Sequence, residues 1–248
     1  MIIRPVAPYS LLHAVIQLSN MTSTTDPLQD DSKHLRRAFR LVLAFAALLW
    51  LIKAAEIVFN VDLVRFGVYP LQPSGLLGIF LGPLIHGSWS HLIANTPPVI
   101  ILGTTLLYGY PKSAKLVVPV IWLGSGFGVW LFARESYHIG ASGLTFGLMF
   151  FLFVIGALRW DKRAMVLSMI VFFLYGGMIW GIFPSAPDIS FESHFFGATI
   201  GVILAIALKN YDPAPVEKTY SWEDEADEDT LSATSPAGDK EKQIDSEE

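Results

Sequence analysis

The chain has 248 residues, 52% of them hydrophobic and only 16% charged, with a mean hydropathy of +0.48. That composition excludes an ordinary soluble domain and marks a polytopic membrane protein, while the absence of cysteine excludes disulfides, thiolate chemistry and Cys-zinc sites. The net charge of −5 is split along the chain: residues 212–248 hold 13 Asp and Glu against 3 Lys, whereas residues 1–211 hold 9 acidic and 14 basic residues.

Residues 1–37 read as a cytoplasmic N-terminal segment. Its apolar run, Leu11-Leu12-His13-Ala14-Val15-Ile16, is short and lacks a small-residue cleavage site, so no cleaved signal peptide is expected. Met21 opens a polar run to Asp31 and is a possible alternative start. Six apolar stretches follow, at about 38–59, 91–108, 114–133, 142–158, 164–183 and 191–208. The first carries Lys53 and Glu56, three apart on one helical face and so able to pair there or lie near the outer interface. Between the first and second stretches, residues 60–85 are apolar but broken by Pro70, Pro73, Gly75, Gly78, Gly82 and Pro83. They predict short interfacial or re-entrant helices rather than a further span. From Asp212 the chain is polar, acidic and Pro-interrupted, and residues 210–248 read as a disordered tail. The domain reading is therefore 1–37, a helical core over 38–209, and 210–248.

Lys and Arg orient the bundle. Ten of them, Lys33, Arg36, Arg37, Arg40, Lys112, Lys115, Arg159, Lys162, Arg163 and Lys209, fall on one side, against Arg65 and Arg134 on the other. By the positive-inside rule both termini are expected in the cytoplasm.

Polar residues inside such stretches are costly and therefore candidates for function. The fourth stretch begins at Ser142, within Gly140-Ala141-Ser142-Gly143, and is stopped by Arg159. A helix this short spans ~25 Å, less than the ~30 Å hydrocarbon core. With its basic end at one surface, Ser142 must start below the other. A helix N-terminus there offers unpaired N–H groups and a positive dipole end to an oxyanion formed when a serine attacks a carbonyl. By itself the tetrapeptide reads more readily as a contact of small residues or as a helix cap than as a nucleophile site.

His194 begins the sixth stretch on the same side and at similar depth. Gly197 and Gly201 follow it along one face, and Gly143 and Gly147 form a matching pair beside Ser142. Small residues at this spacing let helices approach closely. Close approach is what His194 needs to act as general base, and Phe146, one turn below Ser142, is placed to stack on the imidazole. No acidic residue is positioned as a third member. Glu192 lies on another face and, with Asp188 and Ser190, suits the helix N-terminus.

On the second stretch His91 and Asn95 are four apart on one face, and both can donate to an oxyanion. His86, five residues before His91, suits a role bracing the loop. Zinc is disfavoured, since no H-E-x-x-H pattern exists and no acid flanks either histidine. His13, His34 and His138 belong to no motif.

The three fragments, His86-x-x-x-x-His91-x-x-x-Asn95, Gly140-x-Ser142-Gly143 and His194-x-x-Gly197-x-x-x-Gly201, together resemble the rhomboid intramembrane serine proteases, in order and on the second, fourth and sixth spans. The resemblance covers about residues 38–209. It implies an all-α, six-transmembrane-helix bundle of the basic bacterial form in a bacterial inner membrane, its site opening to the outer side. It implies Ser142 as nucleophile and His194 as base, with His91, Asn95 and the Ser142 N–H as oxyanion donors. His86, Gly140, Ala141, Phe146, Gly197 and Gly201 support them. The implied partners are transmembrane segments of single-pass proteins and the lipid bilayer, with no nucleic acid, metal or cofactor. One position departs: many members carry a Trp-Arg pair in the first loop, where this chain reads Leu77-Gly78. A client-binding homologue without activity and a small-solute transporter are the competing classes. The first is disfavoured by the presence of both Ser142 and His194, the second by the lack of an internal repeat.

Overall fold

The computed structural model describes residues 27–184 and 189–213. Among the described residues, six helices are long and apolar enough to cross a membrane. In chain order the helices are α1 (Pro27–Val58), the short α2 (Gly78–Leu81), α3 (Trp89–Gly109), α4 (Pro111–Phe132), α5 (Ser142–Arg159), α6 (Lys162–Tyr175) and α7 (Phe191–Leu208). The expected all-α bundle of six spans is present. α1 starts well before residue 38, and its basic first turns are exposed helix rather than a separate segment. α6 tightens into a 3-10 stretch, Gly176–Ile182, which completes the fifth span.

Local chemistry sets the helix ends. Ser88, Asp161 and Ser190 are N-caps of α3, α6 and α7, accepting from the N–H groups of His91, Ala164 and Ser193. α4 has no such cap of its own, because Tyr110 alone separates it from α3. Its first amides are met by Asp212, from the other end of the chain. The Asp212 carboxylate accepts from Lys112 N at 2.8 Å and Ser113 N at 3.0 Å, and from the Ser113 hydroxyl. Arg159 Nη1 donates to the Asp212 carbonyl at 2.9 Å. This corrects the expectation that the chain is disordered from residue 210: Asp212 is buried and part of the fold. The rest of the acidic tail, Met21 and Asp188 lie outside the described residues.

α5 is the centre of the bundle. Its apolar window is 61% buried, against 11–33% for the other five spans. Phe151, Leu152 and Ile155 pack with Leu102 and Leu106 of α3 and Val117 and Ile121 of α4. Lipid tails are as apolar as leucine, so burial of leucine is a weak force between helices here; close packing of small residues does more. α5 and α7 meet on glycine. A Cβ on Gly197 would collide with the Gly143 carbonyl oxygen, and one on Gly201 with that of Gly147.

The stretch between α1 and α3 folds as short helices, as its Pro and Gly content predicts: Val64–Phe66, Pro73–Leu76, α2 and Gly82–Leu84. Lys53 pairs with Glu56 at 2.8 Å and also donates to the Gly87 carbonyl at 3.2 Å, tying α1 to the start of α3. Gly78, of the first-loop pair Leu77-Gly78, lies on the Gly67–Val68 backbone with no room for a Cβ.

Candidate active site

The connection between α1 and α3 is the platform for the residues before α5. Val68 and His138 exchange both backbone hydrogen bonds, at 2.9 and 2.8 Å, and Gly140 N donates to the Gly82 carbonyl at 2.9 Å. These bonds satisfy backbone groups that have no partner in a helix or a strand ladder. The chain then turns at Gly140, whose φ of +106° is open to glycine and costly for any other residue. A Cβ there would also lie 2.6 Å from His91 Cε1 and 2.7 Å from its Nε2, so the His91 ring sits against Gly140.

Ser142 is the first residue of α5 and half-buried. The first amide of this turn with an intrahelical-type partner is that of Thr145, donating to the Ala141 carbonyl at 3.0 Å. Those of Ser142, Gly143 and Leu144 precede it and point out of the helix end. Ala141 is fully buried, and its N–H donates to His86 Nε2 at 3.5 Å. This contact places the His86 ring against the loop before α5. The His86 and His91 rings meet edge to face with centroids 5.0 Å apart. Burial, then the neighbouring His91 ring, pushes the His86 imidazole down to about 4, so it is neutral and able to accept that bond.

His194 is buried near the start of α7. Its ring stacks on Phe146 with centroids 3.9 Å apart and planes 3° from parallel. Its Nδ1 lies 2.8 Å from the Gly181 carbonyl oxygen. A carbonyl only accepts, so Nδ1 carries the proton, and in the neutral ring Nε2 keeps its lone pair. The third partner absent from the motifs is thus a backbone carbonyl, supplied by the 3-10 stretch after α6. The Gly143–Gly197 contact brings the first turns of α5 and α7 together, and a Cβ on Gly143 would lie 3.2 Å from the Ser193 carbonyl oxygen.

On α3, Asn95 is buried and its Nδ2 donates to the His91 carbonyl at 2.9 Å. That bond holds one amide hydrogen and leaves the other free. A cavity of about 20 Å³ lies behind Gly140 and Gly143, with Ser125, His138 and Ser193 among its walls. One water needs ~10–15 Å³ and polar partners, and the cavity meets both conditions.

His138 belongs to no motif, yet it joins the two loops that flank the site. Its Nε2 donates to the Arg134 carbonyl at 3.0 Å, and its Nδ1 accepts from the Ser190 hydroxyl at 2.6 Å. Ser190 in turn caps α7, so the neutral ring of His138 fixes where α7 begins. Burial holds His138 below the ordinary histidine value, consistent with that neutral form. Glu192, expected at the helix start, reaches across to Arg134 at 3.5 Å. Nothing in the local sequence around residue 138 signals either contact.

The sequence is similar to those of known proteins. Residues 73–211 match the Rhomboid domain, which covers all three motifs. An uncharacterized protein of Mycobacterium tuberculosis and one of Mycobacterium bovis are each 35% identical to the chain over 176 residues, covering 67% of this chain and 73% of their own. An uncharacterized protein of Mycobacterium leprae is 32% identical over 190 residues, covering 72% of each chain. With the domain matched over more than half its length, and with six apolar helices around the matched motifs, this chain is a member of the rhomboid family of intramembrane serine proteases.

Proposed function

We propose that this protein is an active endopeptidase that cuts transmembrane segments of single-pass membrane proteins with a Ser142–His194 dyad. The observation that carries the reading is the state of His194: it is clamped on Phe146, with Nδ1–H committed to the Gly181 carbonyl, on the helix that meets α5 at Gly143 and Gly197. In this mechanism Nε2 takes the Ser142 hydroxyl proton as Oγ attacks the scissile carbonyl. The oxyanion is held by the Ser142 N–H, by His91 and by the free amide hydrogen of Asn95. His194 returns the proton to the leaving amine, and water then hydrolyses the acyl-enzyme by the reverse sequence. No metal or cofactor takes part. A substrate helix hides its carbonyls in its own hydrogen bonds, so segments with helix-destabilising residues and small residues at the cut are preferred.

The distribution of Lys and Arg supports cytoplasmic termini, with Ser142 opening to the opposite face of a bacterial inner membrane. On this reading residues 38–209 hold the catalytic core, with Asp212 as its last anchor.

The test is cleavage of a panel of single-pass substrates by the purified protein in proteoliposomes. Ser142→Ala and His194→Ala should each abolish cleavage while leaving a folded, inserted protein, because the two act as one unit. A fluorophosphonate should label Ser142 only when His194 is intact. Cleavage that persists in Ser142→Ala would overturn the assignment.

A further inference from the structure

On the far side of α5 from His194 lies a cavity of about 670 Å³, within the ~300–1,000 Å³ range of small-molecule sites. It exists because α1 packs on α3 and scarcely touches α4, leaving a cleft between α1 and α4. The walls are apolar: Val42 and Phe45 from α1, Leu107 from α3, Val118 and Trp122 from α4. Leu144, Thr145 and Leu148 of α5 form the floor. The rim is different. His34 and Arg37 of α1 and Lys115 of α4 line one end, and it is the end at which Lys33, Arg36, Arg40 and Lys112 are also exposed. Acids are described at this end too. Asp31 is exposed a turn before His34, and the Asp212 carboxylate is occupied by the first amides of α4.

We propose that this cleft binds an anionic phospholipid, its phosphate on Arg37 and Lys115 and one acyl chain between α1 and α4. Three observations point to that occupant. The polarity runs in the order a lipid has, cationic at the membrane surface and apolar below. From Arg37 to Phe45 the cleft descends ~12 Å along α1, close to the ~15 Å depth of one leaflet. The cleft also opens laterally beside Leu41, which is 56% exposed on the lipid-facing side of the rim.

The floor gives the site a consequence. Thr145 donates through Oγ1 to the Ser142 carbonyl at 3.0 Å, so a lipid tail resting on Leu144 and Thr145 presses on the turn that carries Ser142.

The full chain, reconstituted in phosphatidylcholine vesicles, is tested with trace phosphatidylglycerol carrying a photoreactive diazirine in its acyl chain. Adducts should concentrate on peptides covering residues 34–45 and 115–122. A phosphatidylcholine probe with the same tail should label exposed faces without that concentration. Arg37→Glu with Lys115→Glu should cut the concentrated adducts on the order of 10-fold and leave those elsewhere unchanged. Leu41→Trp, which narrows the opening but keeps both charges, should deplete adducts at Val118 and Trp122. Thermal melting of each variant establishes that it is folded, and the two variants alter different parts of the site. Equal labelling by both lipids, or no effect of charge reversal, would overturn the proposal. So would competition by excess inorganic phosphate, the mark of a soluble-anion site. Protection of these peptides from both probes would also overturn it, because a segment of the chain itself would then fill the cleft.

Discussion

Replacing Gly197 by alanine adds one methyl group at the contact between α5 and α7. That methyl would fall on the Gly143 carbonyl oxygen, a backbone atom that cannot rotate aside. Restoring ordinary van der Waals distance requires the helices to separate by about 1 Å. Alanine is the better helix former by ~1 kcal/mol, which opposes the ~1–3 kcal/mol cost of overpacking, so the net loss of stability is at most about 2 kcal/mol. Catalysis is more sensitive. A ~1 Å displacement of a reacting group costs on the order of 10²-fold in rate, and His194 rides on the same first turns of α7 as Gly197. The expected result is a melting temperature only modestly lowered and a cleavage rate reduced about 100-fold. Initial rates on a single-pass substrate in proteoliposomes measure the second quantity. Gly177→Ala is the control, since nothing lies within 4 Å of the added methyl. If Gly197→Ala cleaved within twofold of wild type, the glycine contact would not be what holds His194 in place.

Asn95→Ala should lower turnover more than substrate affinity, on the order of 10–1000-fold, and chelators should change nothing; inactivation by EDTA with recovery on zinc would replace the dyad by a metal mechanism. Asp212→Ala should destabilise the bundle by about 1–2 kcal/mol in thermal melts, through the lost cap on α4, while kcat stays close to wild type because the cap lies at the opposite end of α5 from Ser142; an unchanged melting temperature would refute the capping role. Stability should also fall in acid. His86, down to about 4, and His138 are both held below the ordinary histidine value by burial, so the unfolded chain takes up protons first as pH drops. Their contribution is complete above ~6.5 and is lost progressively below it, for His86 down to about 4. A melting temperature that stayed flat from pH 7 down to that range would contradict the buried, neutral state of both rings.

Six spans, their order and the spacing of His91 with Asn95 and of His194 with Gly197 were readable in the sequence, because hydropathy and helical periodicity are local properties of the chain. So was the start of α5 at Ser142, since a short apolar stretch with a basic stop leaves few places for its other end. The pairing of Phe146 with His194 was readable too, because both follow from positions on two helices that must meet at glycine. What the tertiary structure decided are contacts between residues distant in the chain. Asp212 sits at the start of an acidic tail and looks solvated, yet α4 begins one residue after α3 and its bare amides draw that carboxylate into the fold. The partner of His194 is the Gly181 carbonyl, and every residue has a carbonyl, so no residue type could announce it. His138 acquires its place only because the α1–α3 connection pairs with its backbone and turns its ring towards Ser190. The cleft between α1 and α4 is a property of how three helices lean apart, which apolar residues facing lipid and apolar residues facing a cavity do not reveal by composition.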